Sequence, residues 1–286
     1  MLQKSTIQLL RLPFSYFLMP IFWFSLCFVP HIHWYRAAFI FFLLHIFLYP
    51  ASNGYNSYMD RDVASIGGIK HPMQPTKQLF AVSVGMDIVG SILSLLVSVQ
   101  FFAAYICYIM FSRLYSYRGI RLKKYPIIGY ITVIINQGMV TFFMVYSGCS
   151  QQMYEALPWQ SLVASAFLIG GFYPISQIYQ HKQDAEDGVT TISMLLGIRG
   201  TFIFCAAMYS VVFALLFSYF YSKGNLLPFY LLQIFFLPII VYFVRWMDQV
   251  WRNDFSADFK HTMQLNWLAS TCTNLAFITL LILNQF

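Results

Sequence analysis

Nine long apolar segments dominate the sequence, and most of the charged residues fall between them. A helix needs roughly 20 mainly apolar residues to cross a bilayer, where it satisfies its own backbone hydrogen bonds. We therefore predict transmembrane helices at residues 14–30, 36–56, 79–97, 99–113, 126–147, 160–180, 201–222, 226–246 and 264–284. Apolar runs this long and continuous exclude the alternating strands of a membrane β-barrel.

The composition favours the same class of protein. Only 9% of the residues are charged and 59% are hydrophobic, whereas a soluble domain has about 25% charged residues. The sequence contains no evident linker, low-complexity tract or extramembrane domain. We predict an all-α polytopic membrane protein that forms a single domain over residues 1–286.

Lysine and arginine are distributed unequally between the predicted loops. With nine crossings, 15 of the 17 Lys and Arg residues fall on the side of the N-terminus, and only Arg36 and Lys223 fall on the other. Because cytoplasmic loops are enriched in these residues, we expect a cytoplasmic N-terminus in an inner or plasma membrane. Orientation and anion binding account for the net charge of +7, so we expect no nucleic-acid partner.

The stretch NGYNSYMDRD, residues 53–62, ends the second predicted helix with acidic side chains. Asn56 and Asp60 are four residues apart, so they share one helix face. Asp62 points elsewhere if the helix continues, although Gly67 and Gly68 indicate that the helix ends soon after. Asn56 and Asp60 therefore form a first oxygen-rich face.

A second acidic stretch, YQHKQDAEDGVTT, covers residues 179–191. Gln180, Asp184 and Asp187 are spaced i, i+4 and i+7, which again places them on one helix face. Gly188 then supplies a helix stop. The two faces lie on the same predicted side of the membrane.

Two oxygen-rich faces at one membrane level indicate a divalent-cation site. Mg²⁺ prefers oxygen ligands and is usually held by one or two carboxylates, with water and substrate phosphates completing its shell. The alternative is that these charges end the helices and face water. The basic residues expected near the clusters are Lys70, Arg118, Arg121 and Lys123, which would bind a diphosphate.

Four stretches resemble, in order, the motifs of the UbiA superfamily of intramembrane prenyltransferases. They are LLRLPFSYFLMP at 9–20, NSYMD at 56–60, LYSYRGIRLKKYPIIGY at 114–130 and DAEDGVTTISMLLG at 184–197. The resemblance covers nearly the whole chain. It implies a helical bundle around a central cavity that opens toward the lipid.

The resemblance also implies an activity and a set of site residues. Members of the family use Mg²⁺ to move a prenyl group from an isoprenyl diphosphate to a lipophilic, often aromatic, acceptor. By position, Asn56 and Asp60 would hold one Mg²⁺, and Asp184 with Asp187 would hold another. The same correspondence makes Asp60 and Asp184 the candidate catalytic residues. The residues that would bind the diphosphate are Arg121 and Lys123, with Lys70 and Arg118 beside them.

The sequence departs from the family pattern at two acidic positions. Ala64 stands where the first motif has a second Asp, and Gln180 stands where the second motif begins with Asp. Asp62 could substitute for the first loss, but its spacing is wrong on a continuous helix. Gln180 offers a neutral oxygen without the charge.

Three further residues are candidates for the cavity wall. Tyr115 and Tyr117 are plausible cavity residues, although tyrosine is also common in the interfacial belt of membrane proteins. Asp87 lies inside the third predicted helix, and an intramembrane acid indicates function by default. Its small neighbours also allow a structural pairing with a serine or a backbone group.

Two other functions stay open on this evidence. Ala64 and Gln180 favour a non-catalytic member of the same fold that binds a prenyl lipid. A membrane transporter is the other alternative, but transporters place their binding residues near the bilayer midplane. Here the polar residues cluster at one face, which favours the enzyme.

Overall fold

The computed structural model describes residues 1–151 and 156–285, and this part of the chain is helical apart from turns and two isolated β-bridges. Its α-helices are α1 (Lys4–Leu9), α2 (Met19–Leu26), α3 (Trp34–Phe42), α4 (Tyr49–Asp60), α5 (Lys77–Ser94), α6 (Val99–Ser116), α7 (Pro126–Val133), α8 (Thr141–Cys149), α9 (Trp159–Phe172), α10 (His181–Glu186), α11 (Ile192–Ser222), α12 (Leu227–Arg252) and α13 (Phe259–Gln285).

Short 3₁₀ and π segments join several of these helices into longer rods. The joining segments are Leu12–Phe17, Leu43–Leu48, Ile134–Val140 and Pro174–Gln180. With these joins, all nine predicted transmembrane segments are found as helical rods, and the predicted all-α membrane bundle is confirmed.

Eight of the rods in the described chain are long and apolar enough to cross a membrane by length and composition. The ninth predicted segment corresponds to α6, an 18-residue helix that packs against α4, α5 and α8.

Aromatic side chains fill the centre of the bundle. Phe24 of α2 lies between Phe142 of α8 and Phe277 of α13, with ring centroids 5.7 and 4.9 Å away. All three rings are buried. Lipid tails are as apolar as these side chains, so close packing rather than exclusion of water holds such helices together.

Polar pairs fix the position of α4 against α6. The Ser116 hydroxyl donates to the Asn56 Oδ1 atom at 2.8 Å, and one helical turn deeper the Ser52 and Ser112 hydroxyls are 2.6 Å apart. Hydrogen bonds of this kind favour association of helices in a membrane. They set the register of the two helices that carry one side of the candidate site.

Gly138 allows a close backbone contact beside the same site. It lies in the π segment Ile134–Val140, and a Cβ atom there would be 2.7 Å from the Ala166 Cα atom of α9 and 2.7 Å from the Ser165 carbonyl oxygen. Backbone atoms cannot move aside as a side chain can. The π segment and α9 therefore approach each other only because residue 138 lacks a side chain.

Replacing Gly138 with alanine should destabilise the bundle. Overpacking of a well-packed interior costs about 1–3 kcal/mol of the free energy of unfolding. Gly85→Ala in α5 is the matched control, because a Cβ atom at Gly85 would have nothing within 4 Å. Thermal unfolding in detergent should show a lower midpoint for Gly138→Ala and an equal or higher one for Gly85→Ala. Equal midpoints for the two variants would contradict the close contact.

Candidate functional site

The end of α4 carries the first group of site residues. Asn56 and Asp60, four residues apart, both line a cavity between the helices. Asp60 is only 8% exposed. Burial of a carboxylate is costly unless charges or hydrogen bonds compensate, so this position needs cationic neighbours.

Arg61 ends α4 in the left-handed region, at φ 57° and ψ 40°. This conformation is uncommon for a residue other than glycine, because the Cβ atom crowds the backbone. The chain reverses there, and the side chain of Asp62 lines the same cavity as Asp60. The helix thus ends before Asp62, and the objection to its spacing on a continuous helix does not apply.

The second group of site residues follows a break in the sixth membrane rod. α9 ends at Phe172, and Pro174 begins the 3₁₀ segment Pro174–Gln180, since proline lacks the N–H that an α-helix needs. The short helix α10 then carries Asp184, which lines the cavity with Gln180. The Gln180 amide donates to the Ser65 carbonyl oxygen at 3.1 Å, and so ties the two acidic stretches together.

Cationic side chains surround Asp60. The Lys123 Nζ atom is 2.6 Å from the Asp60 Oδ2 atom, and an Arg121 guanidinium nitrogen is 3.6 Å from Oδ1. Arg121 also forms an ion pair with Asp187. Arg118 donates to the Asp60 carbonyl oxygen at 3.1 Å and lies 3.3 Å from the Asp187 carboxylate. Asp187 thereby anchors both arginines beside the end of α4.

The carboxylates outside the membrane rods have unequal affinities for protons. Burial raises the pKa of Asp62 to about 6, and the nearby charge of Asp60 acts in the same direction. Burial also acts to raise the pKa of Asp187, but the hydrogen bond from Arg121 and the charges of the surrounding cations lower it below its ordinary value. Asp187 is paired directly with Arg121 and Arg118. Asp62 forms no ion pair within 4 Å among the described residues, and the charges of Lys123 and Arg11 only partly oppose the rise in its pKa.

The donors in this cavity suit a divalent cation completed by a ligand. In the described chain, no three His, Cys, Asp or Glu side chains are arranged so that they could hold a metal ion by themselves. Mg²⁺ does not require one, because it is usually held by one or two carboxylates together with water and phosphate oxygens. The Asp60 Oδ1 atom is buried and has no hydrogen-bond partner among the described residues. Asp60, Asp62, Asp184 and the Asn56 oxygen therefore fit an open Mg²⁺ site.

Tyr115 lines the cavity, and its hydroxyl bonds that of Tyr173, which sequence reasoning had missed. The Gln177 amide donates to the Tyr173 hydroxyl at 2.8 Å. Tyr115 and Tyr173 are 58 residues apart in sequence. Only the folded arrangement of α6 against the end of α9 pairs them.

Arg11 is a second site residue that sequence reasoning had left without a role. Its side chain lines the cavity and donates to the backbone oxygens of Gly67 and Asn53 at 3.4 and 3.3 Å. Its own backbone is left-handed, at φ 48°, where α1 ends. The sequence offered one signal of this role, because Arg11 is a charged residue in an apolar segment, two positions before Pro13.

Six residues named from the sequence do not line the cavity. Three of them, Arg118, Arg121 and Asp187, form the ion-pair network beside Asp60.

The other three are Lys70, Tyr117 and Asp87. Lys70 is exposed and lies in a separate surface groove beside Lys260, and Tyr117 is 49% exposed. Asp87 forms a buried ion pair with Arg113, not with the serine or backbone group named as its structural alternative. The Arg113 guanidinium stacks 3.9 Å from the centre of the Tyr55 ring. Asp87 therefore joins α5 to α6.

The cavity lined by Asp60, Asp62 and Asp184, here called the first cavity, has a volume of about 220 Å³ and is charged at only one end. We call the part lined by Asp60, Asp62, Lys123 and Asp184 the charged end of the first cavity. The opposite part is lined by uncharged residues of α6, α7 and the π segment. They are Tyr108, Phe111, Thr132, Val133, Asn136 and Gln137.

A second cavity of about 310 Å³ adjoins the first and is almost entirely apolar. Phe17, Ile169 and Phe172 line both cavities. Ile240 and Val244 of α12 line the outer side of the second cavity and are more than 40% exposed on the apolar surface of the bundle. The second cavity therefore opens toward the surrounding lipid.

The fold and site thus define a polytopic membrane protein in which a polar cavity suited to a metal ion adjoins an apolar cavity. The model of the UbiA prenyltransferase family matches residues 17–268, and the chain belongs to that family. No protein with a curated description matches this sequence.

Solved structures with low sequence identity share the fold. A UbiA homologue from Archaeoglobus fulgidus bound to DMAPP and Mg²⁺ is 15% identical with a TM-score of 0.71, over 97% of this chain and 99% of that one. The apo UbiA homologue from Aeropyrum pernix K1 is 16% identical with a TM-score of 0.69, over 96% and 99%. A digeranylgeranylglyceryl phosphate synthase is 19% identical with a TM-score of 0.63, over 98% of each chain.

The backbone of Arg61, more than its charge, should determine the site geometry. A β-branched residue tolerates the left-handed region poorly, at a cost of roughly 1–3 kcal/mol, whereas glycine adopts it freely. Arg61→Val should displace Asp62 and lower the midpoint of thermal unfolding in detergent by several degrees. Arg61→Gly should unfold within about one degree of the native protein. Equal losses in both variants would show that the guanidinium matters instead.

Proposed function

We propose that this protein transfers a prenyl group from an isoprenyl diphosphate to a lipophilic acceptor in a Mg²⁺-dependent reaction. The observation that carries the proposal is the convergence of two sequence-distant acidic stretches. Asp60 and Asp62 meet Asp184 at one end of a cavity whose next compartment is apolar. A diphosphate head and a hydrocarbon tail match these two environments.

The charged end is suited to holding the diphosphate. Asp60, Asp62 and Asp184, with the Asn56 oxygen, would hold Mg²⁺, which supplies charge neutralisation for the departing diphosphate. Lys123 and Arg11 line the same cavity and would bind diphosphate oxygens that the carboxylates cannot approach. Arg121 lies within 3.6 Å of Asp60 and adds positive charge behind it. These preorganised cations favour the negative charge that develops on the leaving group.

The walls beyond the charged end are suited to the developing carbocation. The rings of Tyr115 and Tyr173 line the cavity, and aromatic faces attract cations. Phe17 and Phe172 continue the wall into the second cavity, where the prenyl tail would lie. An apolar wall also excludes water, which would otherwise capture the carbocation as an alcohol. The acceptor held beside it then attacks without competition from water, and its displaced proton passes to the departing diphosphate.

The two departures from the family pattern do not favour the non-catalytic alternative in this geometry. Ala64 follows the left-handed turn at Arg61 and does not line the cavity, whereas Asp62 does. Gln180 lines the cavity while its amide holds the Ser65 carbonyl oxygen. Asp62 and Gln180 therefore keep an oxygen-rich site with three carboxylates at its charged end.

We also propose that the charged end faces the cytoplasm. The excess of lysine and arginine on the N-terminal side supports this orientation. Lys123 and Arg121 belong to the loop that contributes most to this excess.

Removing one carboxylate should weaken the Mg²⁺-dependent binding of a diphosphate. We expect Asp60→Asn, Asp62→Asn and Asp184→Asn each to weaken Mg²⁺-dependent binding of farnesyl diphosphate by at least about tenfold, since each removes an anionic ligand. Binding to the purified full chain is measured with and without Mg²⁺, together with release of diphosphate.

Asp254→Asn is the matched control for these variants. Asp254 is exposed and pairs with Arg199 far from the cavity, so its binding curve should match that of the native protein. Binding that ignores both Mg²⁺ and the three site substitutions would contradict the proposal. Mg²⁺-dependent binding without any diphosphate release, even with acceptors present, would favour the prenyl-lipid-binding alternative.

Filling the second cavity should shorten the prenyl chain that the protein accepts. Ala206 of α11 lines this cavity, and a phenylalanine there would occupy part of it. We expect Ala206→Phe to weaken binding of geranylgeranyl diphosphate by about tenfold while binding of dimethylallyl diphosphate changes less than twofold. Competition binding with the two diphosphates measures the ratio directly.

Ala207→Phe provides the control for added bulk. Ala207 is the adjacent residue of α11, is equally exposed and lines neither cavity. Its preference between the long and the short diphosphate should stay native. If Ala206→Phe binds both diphosphates as the native protein does, the prenyl tail does not lie in the second cavity.

A further inference from the structure

Three amide side chains line the first cavity, and the proposed prenyl transfer assigns them no role. Asn136, Gln177 and Asn266 come from three different helical rods and are 5%, 7% and 1% exposed. The amide oxygen of each has no hydrogen-bond partner among residues 1–151 and 156–285. Burying a polar atom without a hydrogen-bond partner is unfavourable. Three of them around one cavity indicate a ligand that donates hydrogen bonds.

The orientation of the Asn136 amide follows from its neighbour. Its Nδ2 atom donates to the Tyr108 carbonyl oxygen at 3.2 Å. A carbonyl oxygen only accepts, so the NH₂ group must face Tyr108 and the Oδ1 atom must point away from it. Asn136 also lies in the π segment Ile134–Val140, and such segments are frequent at functional sites.

The depth of Asn136 separates it from the diphosphate. Tyr108 lies two turns of α6 below Ser116, which bonds Asn56 near the charged end. At 1.5 Å per residue, the eight residues from Tyr108 to Ser116 correspond to about 12 Å. The reacting atom of an acceptor must come within about 3.5 Å of the prenyl carbon attached to the diphosphate. Asn136 would therefore contact the opposite end of the acceptor.

The charge of the cavity defines the class of acceptor. Its charged lining residues are Arg11 and the four residues of the charged end. The lining residues around Asn136 are uncharged, among them Tyr108, Thr132 and Gln137. A carboxylate carried to this depth would lose its hydration without gaining a cation, which is unfavourable. A hydroxyl or amine would instead satisfy the amide oxygens.

We propose that Asn136, Gln177 and Asn266, here called the amide trio, bind the acceptor and select a neutral ring compound that carries hydroxyl or amine groups over its carboxylated counterpart. This inference rests on the proposed prenyl transfer, because it assigns the cavity beyond the charged end to the acceptor. The amide oxygens accept hydrogen bonds from the acceptor and hold its reactive edge toward the prenyl carbon. They act by positioning the acceptor.

The test compares two probes that differ in one group, 2,6-dihydroxynaphthalene and 6-hydroxy-2-naphthoate. Equilibrium binding of each to the purified full chain is followed by naphthalene fluorescence. We expect the dihydroxy compound to bind the native protein at least tenfold more tightly. Asn136→Leu, Gln177→Met and Asn266→Leu should each weaken its binding about tenfold, because each replaces an amide by an apolar side chain of similar size.

The matched control is Asn274→Leu. Asn274 lies two turns beyond Asn266 on α13, is 5% exposed and has an amide without hydrogen-bond partners in the described chain, but it lines neither cavity. Its probe binding should stay native. Binding of farnesyl diphosphate with Mg²⁺ is measured in the same samples and should stay within twofold in all four variants.

The outcomes separate this inference from the proposed function. Native probe binding in Asn136→Leu and Asn266→Leu, or tighter binding of the naphthoate, would overturn the amide trio while diphosphate binding remained intact. Amide-dependent probe binding without any binding of farnesyl diphosphate would refute the prenyl transfer and leave the trio as a binding site for neutral hydroxy compounds. If Asn136→Leu misfolds and binds neither the probe nor farnesyl diphosphate, probe binding by Gln177→Met decides whether the amide trio holds the acceptor.

Discussion

The structure depends on holding several carboxylates of like charge close together in a cavity between the helices. Asp60, Asp62 and Asp184 line one end of a cavity within a helical membrane bundle. Two unit charges 4 Å apart repel by about 4 kcal/mol at the effective dielectric constant of a protein surface. The ion pair from Lys123 to Asp60 offsets part of this repulsion. Burial, and after it the charge of Asp60, still raises the pKa of Asp62. A further cation would relieve the remainder, which is the physical basis of the proposed Mg²⁺ site.

The two acidic stretches contribute to the site in different ways. Asp187 faces Arg121 and Arg118, so its carboxylate positions the arginines beside the end of α4. In the proposed function, this leaves Asp184 as the acidic ligand from the second stretch. A chain with fewer motif acids than its family pattern keeps three carboxylates at the charged end, because Asp62 turns back beside Asp60.

Backbone strain concentrates around the same end of the cavity. In the described part of the chain, the non-glycine residues with positive φ are Arg11, Arg61 and Arg121. Each such conformation costs of order 1–3 kcal/mol and persists only where the surrounding contacts impose it. Arg11 and Arg121 bring guanidinium groups to the charged end, and Arg61 reverses the chain. The strained backbone positions thus lie where the charged side chains converge.

The sequence predicted those parts of the molecule that follow from local patterns. Hydropathy located all nine rods, and i, i+4 spacing placed Asn56 with Asp60 and Gln180 with Asp184. The second predicted face was wrong for its i+7 member, because α10 ends at Glu186 and Asp187 does not line the cavity. The left-handed turn at Arg61 is decided by tertiary contacts, so the sequence could not show that Asp62 joins Asp60.

The remaining differences between the predicted and observed sites also have tertiary causes. Arg11 and Tyr173 reach the cavity through the packing of distant rods, which no local spacing reveals. The partner of Asp87 was missed for the same reason, because Arg113 lies on the neighbouring helix α6.

The most direct test is an experimental structure of the protein with Mn²⁺ and a non-hydrolysable farnesyl thiolodiphosphate. Anomalous scattering would locate the metal independently of the ligand. We expect Mn²⁺ in contact with Asp60 and Asp184, and thiolodiphosphate oxygens beside Lys123. The farnesyl tail should pass Phe17 and Phe172 into the second cavity. A diphosphate bound away from these carboxylates, or an ordered ligand without metal, would contradict it.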